Sequence, residues 1–339
     1  MSIYNVNQHR KIIKNFNKGF EGNEGYKIMR KQWEANTIKN LPLLKKENSI
    51  WRLQDKHDKG NPKAFILVGS SPSLERDVHA LKGISDNFRI LCSNSSLKYL
   101  LKHGVKPHYV ISCDSDDVDI PQHLDCDSRG ITLFASSVID HDTVKKWQGD
   151  VWFLPYYSIG KELRKKVRGK LGRQLGSGGN SISSALFVVT LVLGVKICVF
   201  VGNELCLSGV KDYYADKESA KQEKLKNLFP VVDVAGEEKW TLPALFMYSM
   251  WIEKVCSDLT PPGFFIDSSV GLLGKSGSAI NVRPIKDSIT LIDKIFDRMK
   301  AGETIDELRV VKRYDGDESK VLRYDMQAHR EELLQLARN

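Results

Sequence analysis

Short, unbroken apolar runs alternate with polar stretches of helical period through the middle of the chain. Runs at 65–68, 89–93, 109–113, 131–135, 151–154 and 196–201 read as strands buried on both faces. Helical patterns fall between them at 73–81, 95–103, 140–147 and 180–193, and a further strand is expected at 264–267. Strands alternating with helices predict an α/β fold, a mostly parallel sheet with helices on both faces. The first sixty residues predict one or two helices packed on this unit, ending at the turn Lys59-Gly-Asn-Pro62. A long irregular basic segment is expected after 154, and a charged helix at 216–228. From about 285 the pattern is helical and polar. The expected organisation is therefore a basic helical extension over 1–60, an α/β domain over 61–290 and a C-terminal helical appendage over 291–339.

Ligands of parallel sheets sit beyond the carboxyl ends of the strands, so residues that follow strands carry the candidate chemistry. After the first strand, Gly69-Ser70-Ser71-Pro72-Ser73 is a small-residue turn opening a helix. Pro72 suits the first helical turn, and the helix dipole favours an anion there. A second such turn, Gly176-Ser177-Gly178-Gly179-Asn180-Ser181, opens a later helix, with Asn180 or Ser181 able to cap it. Two such turns in one sheet suit a ligand carrying a diphosphate, or a phosphate and a carboxylate. Neither is the dinucleotide fingerprint or a P-loop. Asn94 follows the second strand, Asp114-Ser-Asp116 the third, and Gly202-Asn-Glu204 the sixth. Asp114 and Asp116 have the spacing to hold Mg²⁺ against phosphate oxygens; a solvated acidic turn is the plainer reading.

Charge and composition narrow the classes. The 339 residues carry a net charge of +9, mostly from the first sixty residues and from 161–173. Arg164, Lys165, Lys166, Arg168, Lys170 and Arg173 precede the second turn, where they would neutralise phosphate, shape a lid or form a solvated basic face. A non-catalytic protein that binds nucleic acid or another anionic surface through the basic N-terminus is a further alternative, ranked last because the basic stretches lack regular aromatic interleaving. The longest apolar run, 185–192, is too short to span a bilayer and is broken by Thr190. The N-terminal residues lack the apolar core of a signal peptide. Six cysteines without CxxC spacing read as buried reduced thiols, so a cytoplasmic protein is expected.

Several motifs in order resemble one family. Val68-Gly-Ser-Ser-Pro-Ser-Leu74 resembles the Gly-x-Gly-Pro-Ser-Leu loop of the motility-associated-factor (Maf) glycosyltransferases. The loop is shared with the 6-hydroxymethylpterin diphosphokinase-like domain and with bacterial sialyltransferases that use CMP-sialic acid. The stretch from Asn94 through Pro107 to Asp114 is similar to that family's second and third strand ends. Ser177-Gly-Gly-Asn-Ser181, Val201-Gly-Asn-Glu-Leu205 and Ile266-Asp-Ser-Ser-Val-Gly271 resemble its later motifs. The resemblance covers about 60–290 and implies a Rossmann-like transferase binding a nucleotide.

In the Maf branch the implied donor is a CMP-activated nonulosonic sugar and the acceptor a flagellin hydroxyl. In the other branch a diphosphate moves from ATP to a pterin, with Mg²⁺. The resemblance implies a nucleotide or nucleotide-sugar donor at Gly69, Ser70, Ser71, Ser73, Asn94, Asp114, Arg173, Ser177, Gly178, Gly179, Asn180 and Ser181. The acceptor would be a glycan, a protein or a small molecule, and a homo-oligomer is expected to be open to the chain. Ser71 replaces the second loop glycine, and Glu204 replaces the usual aspartate. Asp212-Tyr213-Tyr214 stands where the family often has histidine, so Glu204, Asp212 or Tyr213 would orient or deprotonate the acceptor.

Overall fold

A computed structural model describes residues 24–56, 63–113, 115, 124–156, 158–176, 178–207, 228–259 and 263–302. Its centre is an eight-stranded sheet, ordered β10-β9-β6-β1-β2-β3-β4-β5 with every pair parallel. The strands are β1 (Ala64–Val68), β2 (Phe88–Ser93), β3 (Tyr109–Ser112), β4 (Thr132–Ser136), β5 (Val151–Leu154), β6 (Ile197–Val201), β9 (Phe264–Asp267) and β10 (Ile280–Val282). Strands β7 (Phe229–Val232) and β8 (Glu238–Thr241) form a separate antiparallel hairpin. The chain winds outward from β1 to β5, then returns to place β6 on the other side of β1. The strand order therefore reverses between β1 and β6, where parallel α/β sheets open their ligand crevice.

Strand β1 shows why the sheet is covered on both faces. All five of its residues are buried. Ile66 and Val68 point to one apolar cluster, and Phe65 and Leu67 point to the other. The first face is covered by α1 (Glu24–Asn40), α2 (Ser73–Asp77), α3 (Asn94–Lys102), α4 (His141–Lys146), α5 (Lys161–Leu171) and α8 (Ile285–Lys300). The second face carries α6 (Ser181–Phe187), its π-helical continuation Val188–Val192, and α7 (Pro243–Asp258). Trp251 of α7 meets Phe187 of α6 with ring centroids 4.6 Å apart.

Four differences from the sequence reading have local causes. The basic segment is not irregular: Leu163, Val167 and Leu171 recur every fourth residue, and they fold α5 onto the core. The hairpin β7–β8 was unexpected. Its turn is built by Asp233, whose Oδ1 accepts the N–H groups of Ala235 and Glu237 at 2.9 Å each. The short edge strand β10 was also unexpected. Helix α8 runs without a break across position 290 and buries Ile285, Ile292, Ile295 and Phe296 in the main core. The charged helix expected at 216–228 lies outside the described residues.

The seam between β1 and β6 is tight. Gly69 N–H donates to Val201 O at 2.8 Å, and Ser71 N–H donates to Gly202 O at 3.0 Å. A Cβ on Gly69 would lie 2.3 Å from Gly202 O and 2.6 Å from the Asn203 amide oxygen. Gly69→Ala is therefore expected to destabilise the fold by about 1–3 kcal/mol through overpacking against backbone. A lower urea midpoint with an unchanged m-value would register this.

Candidate functional site at the carboxyl edge of the sheet

The ends of β1, β2, β6 and β9 and the start of α6 meet at the carboxyl edge. Asn203 ties the seam together, its side-chain N–H₂ donating to Leu67 O at 3.0 Å and Val201 O at 2.9 Å. Its backbone N–H donates to Ser269 Oγ at 2.8 Å, which fixes the β9 loop to the β6 loop. Leu205 and Val270, on those two loops, hold φ values of 56° and 60°. Neither is glycine, and Val is β-branched, so both carry backbone strain of the kind that collects at functional sites. Leu272 N–H donates to Glu204 O at 2.9 Å, and a Cβ on Gly271 would strike that same oxygen at 2.1 Å.

The two small-residue turns converge on one edge. Ser95 Oγ donates to Ser70 Oγ at 2.9 Å, joining the start of α3 to the first turn. Ser181 Oγ donates to Asn94 Oδ1 at 3.4 Å, joining the same start to the second turn. Ser93 Oγ lies 3.0 Å from both Ser95 Oγ and Ser96 Oγ, completing a hydroxyl network. Ser70, Asn94, Ser95 and Ser181 are all half-buried, so they face both the fold and solvent. No side chain caps the N-terminus of α3. Ser112 Oγ, buried at the end of β3, has no hydrogen-bond partner among the described residues.

Other expected residues take structural contacts. Ser73 N–H, at the first turn of α2, donates to Glu204 Oε1 at 2.5 Å. The chain's own carboxylate thus sits where an anion was expected on α2. Burial pushes the Glu204 carboxyl above its ordinary pKa, against the Ser73 hydrogen bonds and the nearby Arg76 cation. Asn180 caps α6, its Oδ1 accepting Ser183 N–H at 2.7 Å. A Cβ on Gly178 would meet the Trp251 ring at 2.5 Å, and one on Gly179 would meet the Tyr248 ring at 2.4 Å. These two glycines seat the second turn against α7. Arg173 lies over the Trp51 ring at 4.3 Å, grouped with the N-terminal segment and not with the turn it precedes. Asp114, Asp116, Ser177, Asp212 and Tyr213 lie outside the described residues. No group of three or more metal-capable side chains forms among the described residues.

The sequence reading passed over a charged group beneath this edge. Arg76 Nε and Nη2 donate to the two Asp77 oxygens at 2.8 and 2.7 Å, and Nη2 also donates to Ser268 O at 2.8 Å. Asp267, fully buried at the end of β9, accepts Ser269 N–H at 3.1 Å. The signal was present in the polar string that ends β9, but burial of an aspartate cannot be read from composition. Burial raises the Asp267 carboxyl to about 7, with the hydrogen bonds from Ser269 opposing. A raised carboxyl stabilises the fold fully below its unfolded pKa, near 4, and loses that contribution as pH rises through 7. Asp267→Asn is expected to flatten the fall in stability between pH 4 and 7, by an amount on the order of 4 kcal/mol. Urea melts taken across that range measure it, and an unchanged slope would contradict the assignment.

Fold and site together define a Rossmann-like parallel α/β protein whose polar network lies on the carboxyl edge, one strand from the reversal of strand order. Residues 35–210 match the family described as 6-hydroxymethylpterin diphosphokinase MptE-like, and the chain belongs to that family. Among solved structures it is similar to the Maf glycosyltransferase from Magnetospirillum magneticum AMB-1, at 14% identity and a TM-score of 0.49. That likeness covers 70% of this chain but only 37% of the glycosyltransferase. Among curated proteins, none matches. No helix among the described residues is long and apolar enough to cross a membrane. The six cysteines are free, and burial raises the pKa of Cys206 to about 12, which keeps its thiol protonated.

Proposed function

We propose that this chain is a transferase that holds a nucleotide-activated donor at the carboxyl edge. The observation that supports this reading is the convergence of both small-residue turns on the start of α3, through Ser70–Ser95 and Asn94–Ser181. The uncapped N-terminus of α3 offers backbone N–H groups to a phosphate, and the surrounding hydroxyls add donors. Catalysis would rest on positioning and on stabilising the leaving phosphate. Glu204 orders the Ser71–Ser73 turn and would orient the bound groups. Proton removal from the acceptor would fall to Asp212 or Tyr213.

The resemblance to Maf proteins and to CMP-sialic acid sialyltransferases favours glycosyl transfer from a CMP-activated nonulosonic sugar to a hydroxyl. Membership in the MptE-like family supports a second reading, transfer of a diphosphate from ATP to a pterin-like alcohol. There Asp114 and Asp116 would hold Mg²⁺, which would neutralise the transferred phosphates.

A melting screen separates the two. Glycosyl transfer predicts that CMP raises Tm without a metal; diphosphate transfer predicts that ATP raises it only with Mg²⁺. In either case Asn94→Ala combined with Ser181→Ala is expected to weaken the effective nucleotide about tenfold. Wild-type protein that responds to neither nucleotide would remove the proposed donor site.

A further inference from the structure

A second concave surface lies away from the carboxyl edge. The 3₁₀ turns Lys46–Asn48 and Ile50–Arg52 run beside the edge strand β5, where Ser49 bridges to Phe153. Between these turns and the end of α5 is a cleft of about 400 Å³. Five cations line it: Lys46, Arg52, Arg168, Lys170 and Arg173. No acidic residue is among its eleven lining residues. None of the four side chains that form the carboxyl-edge network, Ser70, Asn94, Ser95 and Ser181, takes part in it.

A helix C-terminus attracts basic residues by itself, and Arg168 and Lys170 stand in the last turn of α5. That accounts for two of the five. Arg173 directly follows the C-cap Gly172 of the same helix, whereas Lys46 and Arg52 come from the separate N-terminal turns. The walls are also built. Ser49 Oγ donates to Leu171 O at 2.7 Å, Trp51 Nε1 donates to Arg173 O at 2.6 Å, and Lys170 Nζ donates to Leu44 O at 3.0 Å. The Arg173 guanidinium is held over the Trp51 ring. Lys46 and Arg168 are exposed and form no ion pair among the described residues. Like charges gathered on one surface repel one another, and an anion placed between Lys46 and Arg168 would relieve that repulsion.

We propose that this cleft binds a small molecule carrying a di- or triphosphate, independently of the carboxyl-edge site. The volume matches a nucleotide-sized ligand, and the cations line one wide, shallow cleft open to solvent. Guanidinium groups favour phosphate oxygens by paired hydrogen bonding. The ligand is either a nucleoside polyphosphate, its base against Trp51, or an inorganic polyphosphate.

Calorimetry on the full chain tests this, with inorganic tripolyphosphate and ATP as probes, without divalent metal and at physiological salt. Ser70→Trp serves as background, because it obstructs the carboxyl edge. On that background one tripolyphosphate is expected to bind saturably. Adding Lys46→Glu and Arg168→Glu should weaken it about a hundredfold, and the neutral Gln pair about tenfold, with Tm unchanged. ATP binding more tightly than tripolyphosphate would identify the nucleoside form; equal binding would identify the inorganic one. Undiminished binding by the Glu pair, or no saturable binding by the Ser70→Trp protein, would overturn the proposal. So would an oligonucleotide that binds about tenfold more tightly than either probe, because the ligand would then be nucleic acid. CMP and ATP–Mg²⁺ responses at the carboxyl edge are read separately on protein with Ser70 intact, so one site can fail without the other.

Discussion

The contact between the ends of β1 and β6 is the constraint on which this structure depends. Two backbone turns approach so closely there that Gly69 has no room for a side chain beside Gly202 and Asn203. Gly202 itself takes a φ of +64°, which a glycine adopts without strain. Asn203 then satisfies carbonyls from both strands, Leu67 and Val201, so the sheet is stitched at the point where its strand order reverses. The β9 loop follows, held by Ser269 on Asn203 and by Leu272 on Glu204. Strain at Leu205 and Val270 is sustained because both flanks are tied in this way.

Closing that seam has a chemical consequence. The helix that leaves β1 meets a carboxylate from its own chain, so its dipole is already matched by Glu204. The neighbouring helix, leaving β2, has no such cap, and the serines and Asn94 around it face outward. The polar opening is therefore displaced by one strand from the switch point itself. Glycines in the second turn contribute shape: their missing side chains let Trp251 and Tyr248 of α7 press against the backbone and set the start of α6 beside Asn94.

Charge is organised differently in two places. Below the carboxyl edge, Arg76 is matched to Asp77, while Glu204 and Asp267 are buried with raised proton affinities. Beside the sheet's β5 edge, five cations share one cleft with no carboxylate in its lining. The first arrangement compensates charge inside the fold, and the second gathers like charge on the surface, with Lys46 and Arg168 exposed and in no ion pair among the described residues. The net excess of nine positive charges is thus partly gathered on one concave surface and not merely spread over the exterior.

The fold class was legible along the chain. Runs such as Phe65–Val68 are apolar at every position, and only a strand covered on both faces requires that. The helix starts were legible too, because Pro72 and Asn180 act through local geometry. The hairpin β7–β8 was available in its turn chemistry at Asp233 and Gly236, and α5 in its four-residue repeat, although basic composition masked the latter. The partners of the site residues could not be read. Which anion Ser73 meets, which ring covers Arg173 and which hydroxyl joins Ser70 all depend on contacts across 25 to 131 residues. Local preference acts over a few residues; those pairings exist only after the strands take their order.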